Sequence, residues 1–169
     1  MLQPNKYPTT YSLTQAMTYD GKAFRAFFES EIPAESEITV SILNGENIIN
    51  LFYRRFFSNM PDVRYEVRTG AVITAYGAEI PILPMNAVNV RQSTNTARLC
   101  TTSSIGTLQD IEISGGSIGV GNRPAGGTLD DQDDLKVLPP NTEFLIRLAN
   151  PNTDPAKALV YLKWFETHQ

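Results

Sequence analysis

The chain has 169 residues, 41% of them hydrophobic, with a single cysteine and a net charge of −4. That length carries one sizeable core and argues for one domain, and the acid excess argues against a protein that grips nucleic acid along its surface, because phosphate neutralisation needs clustered Lys and Arg. Cys100 has no internal disulfide partner and builds no cysteine zinc site, no apolar run approaches the roughly 20 residues that span a bilayer, and residues 1–20 lack the basic start and apolar run of a signal peptide; a reducing cytoplasm without membrane attachment is the expected setting.

In chain order, residues 1–20 hold only Lys6 and Asp20 as charges, with Pro4, Pro8, Tyr7, Tyr11 and Tyr19 among Thr, Ser and Gln. The segment has no strong period and reads as an arm, either loosely ordered or laid across another surface. From Gly21 a single domain over residues 21–169 begins. Phe24, Ala26 and Phe28 alternate with Arg25, Phe27 and Glu29 until Pro33 ends the run. Ile38, Val40 and Ile42 alternate with Glu37, Thr39 and Ser41 up to Asn44-Gly45, a hairpin signal because both residues tolerate positive φ. Residues 48–57 form a longer apolar stretch interrupted by Arg54-Arg55, and Val63, Tyr65 and Val67 alternate with Asp62, Arg64, Glu66 and Arg68. Short runs follow at 71–75, 80–83, 97–102 and 108–113.

The segment 115–140 reads as a long Gly/Asp loop. Six glycines between Gly115 and Gly127 cost too much backbone entropy for a central strand, and Asp130, Asp131, Asp133 and Asp134 follow before Pro139-Pro140. Loops of that length are uncommon and usually do something. Finally, Phe144, Ile146 and Leu148 share one strand face, and Ala158, Val160, Leu162 and Trp164 another; the break at 150–155 predicts an antiparallel hairpin at the C-terminus. No segment sustains a 3.6-residue period. The pattern is all-β, about 8–10 strands, and a jelly-roll-like antiparallel β-sandwich fits it best. The expected core is Phe24, Phe28, Ile38, Val40, Ile42, Val63, Tyr65, Val67, Phe144, Ile146, Leu148, Val160, Leu162 and Trp164.

No constellation of catalytic residues stands out, and the expectation is a protein that is not an enzyme and holds no cofactor or metal. Gly116-Ser117-Ile118-Gly119-Val120-Gly121 matches neither glycine-rich phosphate-binding pattern. The aspartate cluster lacks the order of a calcium loop and reads as a solvated acidic segment. His168, the only histidine, is the penultimate residue and poorly placed as a base. No carboxylate pair is singled out by an apolar setting. Arg54, Arg55, Arg64 and Arg68 form a basic stripe if their strands pair, but cross-strand ion pairs with Glu66 and its neighbours are the favoured reading. Trp164 reads as a core anchor, whereas Phe27 and Tyr161 fall opposite the expected core and mark an interface.

The runs Lys22-Ala23-Phe24-Arg25-Ala26, Ile49-Asn50-Leu51-Phe52-Tyr53-Arg54-Arg55, Val63-Arg64-Tyr65-Glu66-Val67-Arg68-Thr69-Gly70 and Asn86-Ala87-Val88-Asn89-Val90-Arg91-Gln92-Ser93, with the closing 138–150 and 161–166 segments, resemble small virion proteins of tailed bacteriophages. The chain departs from that pattern at Arg91-Gln92, where Asn-Arg is expected. The resemblance implies a jelly-roll decoration or cement protein on the capsid exterior, assembled in the host cytoplasm. Its partners would be the major capsid protein and its own copies, commonly as a homotrimer, with no direct nucleic-acid or membrane contact. The alternative is a carbohydrate-binding module of a phage tail or fibre, with aromatics in a shallow groove. Partner contact is expected from the arm and the long loop, through Tyr7, Tyr11, Tyr19, Gly119, Gly121, Arg123, Asp130, Asp131, Asp133 and Asp134.

Overall fold

A computed structural model describes residues 13–114, 125–129 and 136–167. Among them are a seven-residue helix, α1 (Leu13–Tyr19), and twelve strands: β1 (Ala23–Ile32), β2 (Ser36–Leu43), β3 (Ile48–Ser58), β4 (Arg64–Thr69), β5 (Val72–Glu79), β6 (Ile82–Pro84), β7 (Thr96–Ser104), β8 (Thr107–Ile113), β9 (Ala125–Leu129), β10 (Lys136–Leu138), β11 (Glu143–Asn150) and β12 (Ala156–Thr167). Sheet I runs β10-β3-β12-β1-β6 with β9 also on β3, and sheet II runs β5-β7-β2-β11-β4-β8. Four strands of sheet I, in the order β1-β12-β3-β10, and four of sheet II, β2-β11-β4-β8, are the two halves of a jelly roll, all pairs antiparallel. Strands β5 and β7 widen sheet II, and β6 widens sheet I.

The alternation read from the sequence explains the sandwich. Phe24, Ala26, Phe56, Ala158, Val160, Leu162 and Trp164 from sheet I meet Val40, Ile42, Tyr65, Val67, Ala97, Phe144, Ile146 and Leu148 from sheet II in one buried cluster, with Phe28 and Ile38 partly buried against it. Phe56 and Tyr65 stack across the two sheets with ring centroids 5.7 Å apart. Each of these side chains removes apolar surface from water at about 25 cal/mol per Å², and the two faces interdigitate as sandwich layers do.

Three local expectations are corrected. The final two strands form no hairpin: β11 lies between β2 and β4 in sheet II, whereas β12 lies between β1 and β3 in sheet I. The 150–155 link therefore crosses between layers, and buried Asn150 fastens it, its Nδ2 donating to the carbonyls of Ile32, Pro33 and Asp154. Nor is Asn44-Gly45 a hairpin turn, since β2 pairs with β7 and β11 and the chain passes on to β3 in the other sheet. Asn44 Nδ2 donates to the Pro139 carbonyl at 2.7 Å, and a Cβ at Gly45 would lie 2.3 Å from the Thr94 carbonyl oxygen. Close approach, rather than positive φ, sets glycine there. Third, the 115–140 interval contains β9 and β10, both on β3. The glycines of β9 sit in an edge strand, where their entropic cost is tolerated.

One buried carboxylate closes an end of the sandwich. Glu166 accepts hydrogen bonds from Asn47 Nδ2, Ser93 Oγ, Thr94 N and Oγ1, Asn95 Nδ2 and Trp164 Nε1. These donors come from the 44–47 crossing, the segment before β7 and β12 itself, so one side chain holds three pieces of chain together. Glu166→Gln turns an amide donor toward this ring of donors and is expected to lower stability by about 1–3 kcal/mol. The urea midpoint checks it, and a midpoint equal to wild type would show that the ring is not specific for a carboxylate.

Candidate partner-binding surfaces

Among the described residues, the most exposed large apolar side chains lie where the arm meets the sandwich. The segment joining β6 to β7 is fixed at its tip by Asn86, whose Oδ1 accepts from Val88 N at 2.8 Å and Asn89 N at 3.0 Å while its Nδ2 donates to the Tyr19 carbonyl at 3.1 Å. Its base is tied to Glu166 through Ser93, Thr94 and Asn95. This bracing presents Val88, 96% exposed, and Val90, 65% exposed, beside Tyr19, 64% exposed at the end of α1. A flexible loop would let such residues fold back. A braced one holds them out, which suits contact with another molecule.

The outer face of sheet II is different in kind, because the charges at its centre pair within the chain. Arg147 bonds Glu37 through Nε at 2.8 Å and Glu66 through Nη1 at 3.0 Å, while Arg68 Nε reaches Glu66 at 2.6 Å. Burial pushes the Glu66 carboxyl up, but the two guanidinium groups win and hold it below the ordinary carboxylate value. The strands whose pairing would have made an arginine stripe do not pair, since Arg54 and Arg55 lie on β3 of sheet I and Arg64 and Arg68 on β4 of sheet II. The ion-pair reading centred on Glu66 holds.

Edge strand β8 inverts the obvious pattern. Its partners place Asp110 opposite Val67 and Glu112 opposite Tyr65, on the core side, leaving Ile111 and Ile113 outward at 44% and 51% exposure. Inward charges are one way an edge strand resists pairing with a foreign strand. Asp110 pairs with buried Arg54 reaching across from sheet I. Both carboxylate oxygens of Glu112, and the Tyr65 hydroxyl, are buried with no hydrogen-bond partner. Burial raises the Glu112 carboxyl above its ordinary value, Arg54 opposes the rise and Asp110 adds to it. Such an acid keeps its proton longer in the folded chain than in the unfolded one, so stability falls as pH rises above about 4.3, the unfolded glutamate value. Glu112→Gln is therefore expected to raise the melting temperature at pH 7 and leave it unchanged near pH 3; equal shifts at both values would sink the assignment.

Of the sequence-predicted contact residues, Tyr19 is exposed at the arm end of the sandwich. Tyr7, Tyr11, Gly119, Gly121, Arg123, Asp130, Asp131, Asp133 and Asp134 lie outside the described residues. Nothing in the sequence marked Val88 and Val90, which flank Asn89, as exposed; the Asn86 turn holds the segment that carries them. Asp110 and Glu112 carried no signal, because alternation with Ile111 and Ile113 points them to solvent. Phe27 is 52% exposed and lies opposite Tyr161 on the outside of sheet I. Among the described residues no group of three or more His, Cys, Asp or Glu is placed to hold a metal ion, and no helix is long and apolar enough to cross a membrane.

No family model matches the chain, and no curated protein does. Among solved structures it is similar to a chain in the structure of infectious bursal disease virus Gt strain, at 10% identity and a TM-score of 0.20, over 85% of this chain and 39% of that one. At that TM-score the likeness carries no argument, and the fold assignment rests on the strand order.

Proposed function

We propose that this chain is a virion structural protein that decorates and cements the exterior of a tailed-phage capsid by clamping major capsid protein subunits, acting as a homotrimer without enzymatic activity. The observation that carries the reading is the braced apolar tip formed by Val88, Val90 and Tyr19 where the arm leaves the domain. The jelly-roll strand order supports it, being a common architecture of capsid domains, although that is support by analogy of fold. The inward carboxylates of β8 offer little to acid–base chemistry, since Asp110 is clamped by Arg54 and the Glu112 oxygens are sealed. The carbohydrate-binding alternative gains nothing from the grooves on sheet II: one of about 560 Å³ beside Arg64 and Arg147, and one of about 410 Å³ beside Thr39 and Cys100, have no aromatic ring in their lining.

Assembly would take place in the host cytoplasm, with no direct contact to nucleic acid or membrane. Symmetric copies let modest contacts act together, which is how a small protein adds strength to a shell. The test is sedimentation of the purified protein with undecorated capsids, with light scattering for the free species. Saturable binding by a trimer is expected; a monomer that ignores capsids would overturn the reading.

A further inference from the structure

Two segments far apart in sequence share the exposed apolar surface because one side chain joins them. Asn86 lies 67 residues from Tyr19, and its two polar atoms serve different segments: Nδ2 donates to the Tyr19 carbonyl at the end of α1, while Oδ1 accepts from Val88 N and Asn89 N in its own loop. The same segments meet again at buried Gly21, where φ is +69° and a Cβ would lie 2.9 Å from the Asn89 carbonyl oxygen and 3.0 Å from its Nδ2. The loop thus rests on bare backbone, and a side chain there would push it away. Gly21 N and Lys22 N close α1 onto this turn by donating to the Thr18 and Met17 carbonyls, and Met85 N fixes the start of the loop by donating to the Ala23 carbonyl. Asn86 and Asn89 are half-buried, and neither belongs to the core cluster.

We propose that Asn86 is the positioning residue of a composite docking surface, assembling Tyr19 of the arm with Val88 and Val90 of the loop into one preformed unit that meets an apolar surface of the shell; the inference rests on the capsid-decoration reading and names the residue that shapes its contact. Were the two segments independent, binding would have to order each of them, and that cost would offset the gain from burying so few side chains. Joined when the chain folds, they lose little further freedom on contact, and one partner surface meets both at once. The turn that Asn86 caps also buries nothing of its own, since Val88 within it is 96% exposed. A turn serving the fold alone gains nothing by holding a valine in water, whereas a docking surface gains by having it there before the partner arrives.

The test uses two substitutions at this position. Asn86→Asp keeps the acceptor for Val88 N and Asn89 N but turns an acceptor, in place of a donor, toward the Tyr19 carbonyl; Asn86→Ala loses both functions. On the free protein, amide exchange at Val88 and Asn89 should stay near wild type in Asn86→Asp and quicken about fivefold or more in Asn86→Ala, the factor for losing one ordinary hydrogen bond. Exchange at Gly21 and Lys22, which close α1, should quicken in both. Affinity for undecorated capsids should fall about fivefold or more in Asn86→Asp and further in Asn86→Ala, with both melting temperatures near wild type. Wild-type affinity in Asn86→Asp overturns the proposal, as do unprotected Val88 and Asn89 amides in the wild type. A melting temperature that falls in step with affinity assigns Asn86 to folding alone and also overturns it. If wild type itself ignores capsids, the decoration reading fails, and the composite unit is decided by Gly21 and Lys22: quickened exchange in both variants supports it, and unchanged exchange overturns it.

Discussion

Trp164→Ala is expected to lower unfolding free energy by about 3–5 kcal/mol, the range for removing a buried aromatic side chain from a core. Trp164 is 2% exposed and stacks on Phe24, its cross-strand partner on β1, with ring centroids 6.3 Å apart. It follows a register shift in the β12–β3 pairing between Lys163 and Trp164, after which Trp164, Phe165 and Glu166 are all buried. Truncation therefore leaves a void against strands on both sides that a paired sheet cannot close. It also removes the indole donor that reaches Glu166 Oε1 at 3.2 Å. Trp164→Phe separates the two effects. It keeps most of the ring and loses the donor, at a cost of about 1 kcal/mol for the hydrogen bond in addition to a smaller cavity, since Ser93 and Asn95 still bond the same oxygen. Urea unfolding measures both variants; a Trp164→Ala midpoint equal to wild type would show that the ring is not a core anchor.

What the sequence disclosed follows the division between local and non-local physics. Period-two alternation is local, so Val40, Ile42, Val63, Tyr65, Val67, Phe144, Ile146, Leu148, Val160, Leu162 and Trp164 were placed in the core from spacing alone, and all are buried. The jelly roll followed from many short strands. Which neighbours those strands choose is not local. Two consecutive strands with a turn-like break look the same whether they return within a layer or cross between layers, and the break at 150–155 crosses because Asn150 ties it to the end of β1. Helix α1 was missed because its seven residues offer less than two full turns for a period to show, with no acid in the first turn and no base in the last to mark its ends. The inversion of β8 was invisible for a similar reason: the pull that turns Asp110 inward is Arg54, 56 residues away on the opposite sheet. Of the candidate surfaces, Phe27 and Tyr161 could be read as outward from the alternation of their strands, whereas the grouping of Val88, Val90 and Tyr19 depends on one asparagine side chain bridging the segments.

Removing residues 1–12 is expected to leave the melting temperature nearly unchanged while sharply lowering occupancy on undecorated capsids. The deletion spares α1 and the contacts that seat it, namely Gly21 N to the Thr18 carbonyl, Lys22 N to the Met17 carbonyl and Asn86 Nδ2 to the Tyr19 carbonyl. It also removes no residue of the core cluster, whose first member is Phe24. What it takes away is a nearly uncharged Tyr, Thr, Gln and Pro segment, of a composition suited to adding backbone hydrogen bonds and aromatic burial to a neighbouring surface. Ordering such a segment on a partner offsets part of its contact energy, but in the proposed trimer the copies would act together, so a modest loss per copy would become a large loss of occupancy. Val88→Asp probes the same surface from the folded side. Burying a valine contributes about 1.5–3 kcal/mol, so a charge at this 96% exposed position should weaken capsid binding by roughly tenfold or more per copy with little change in folding stability. Capsid sedimentation and thermal melting read out both variants. Full occupancy by the truncated chain would remove the arm from the interface, and full occupancy by Val88→Asp would remove the braced tip.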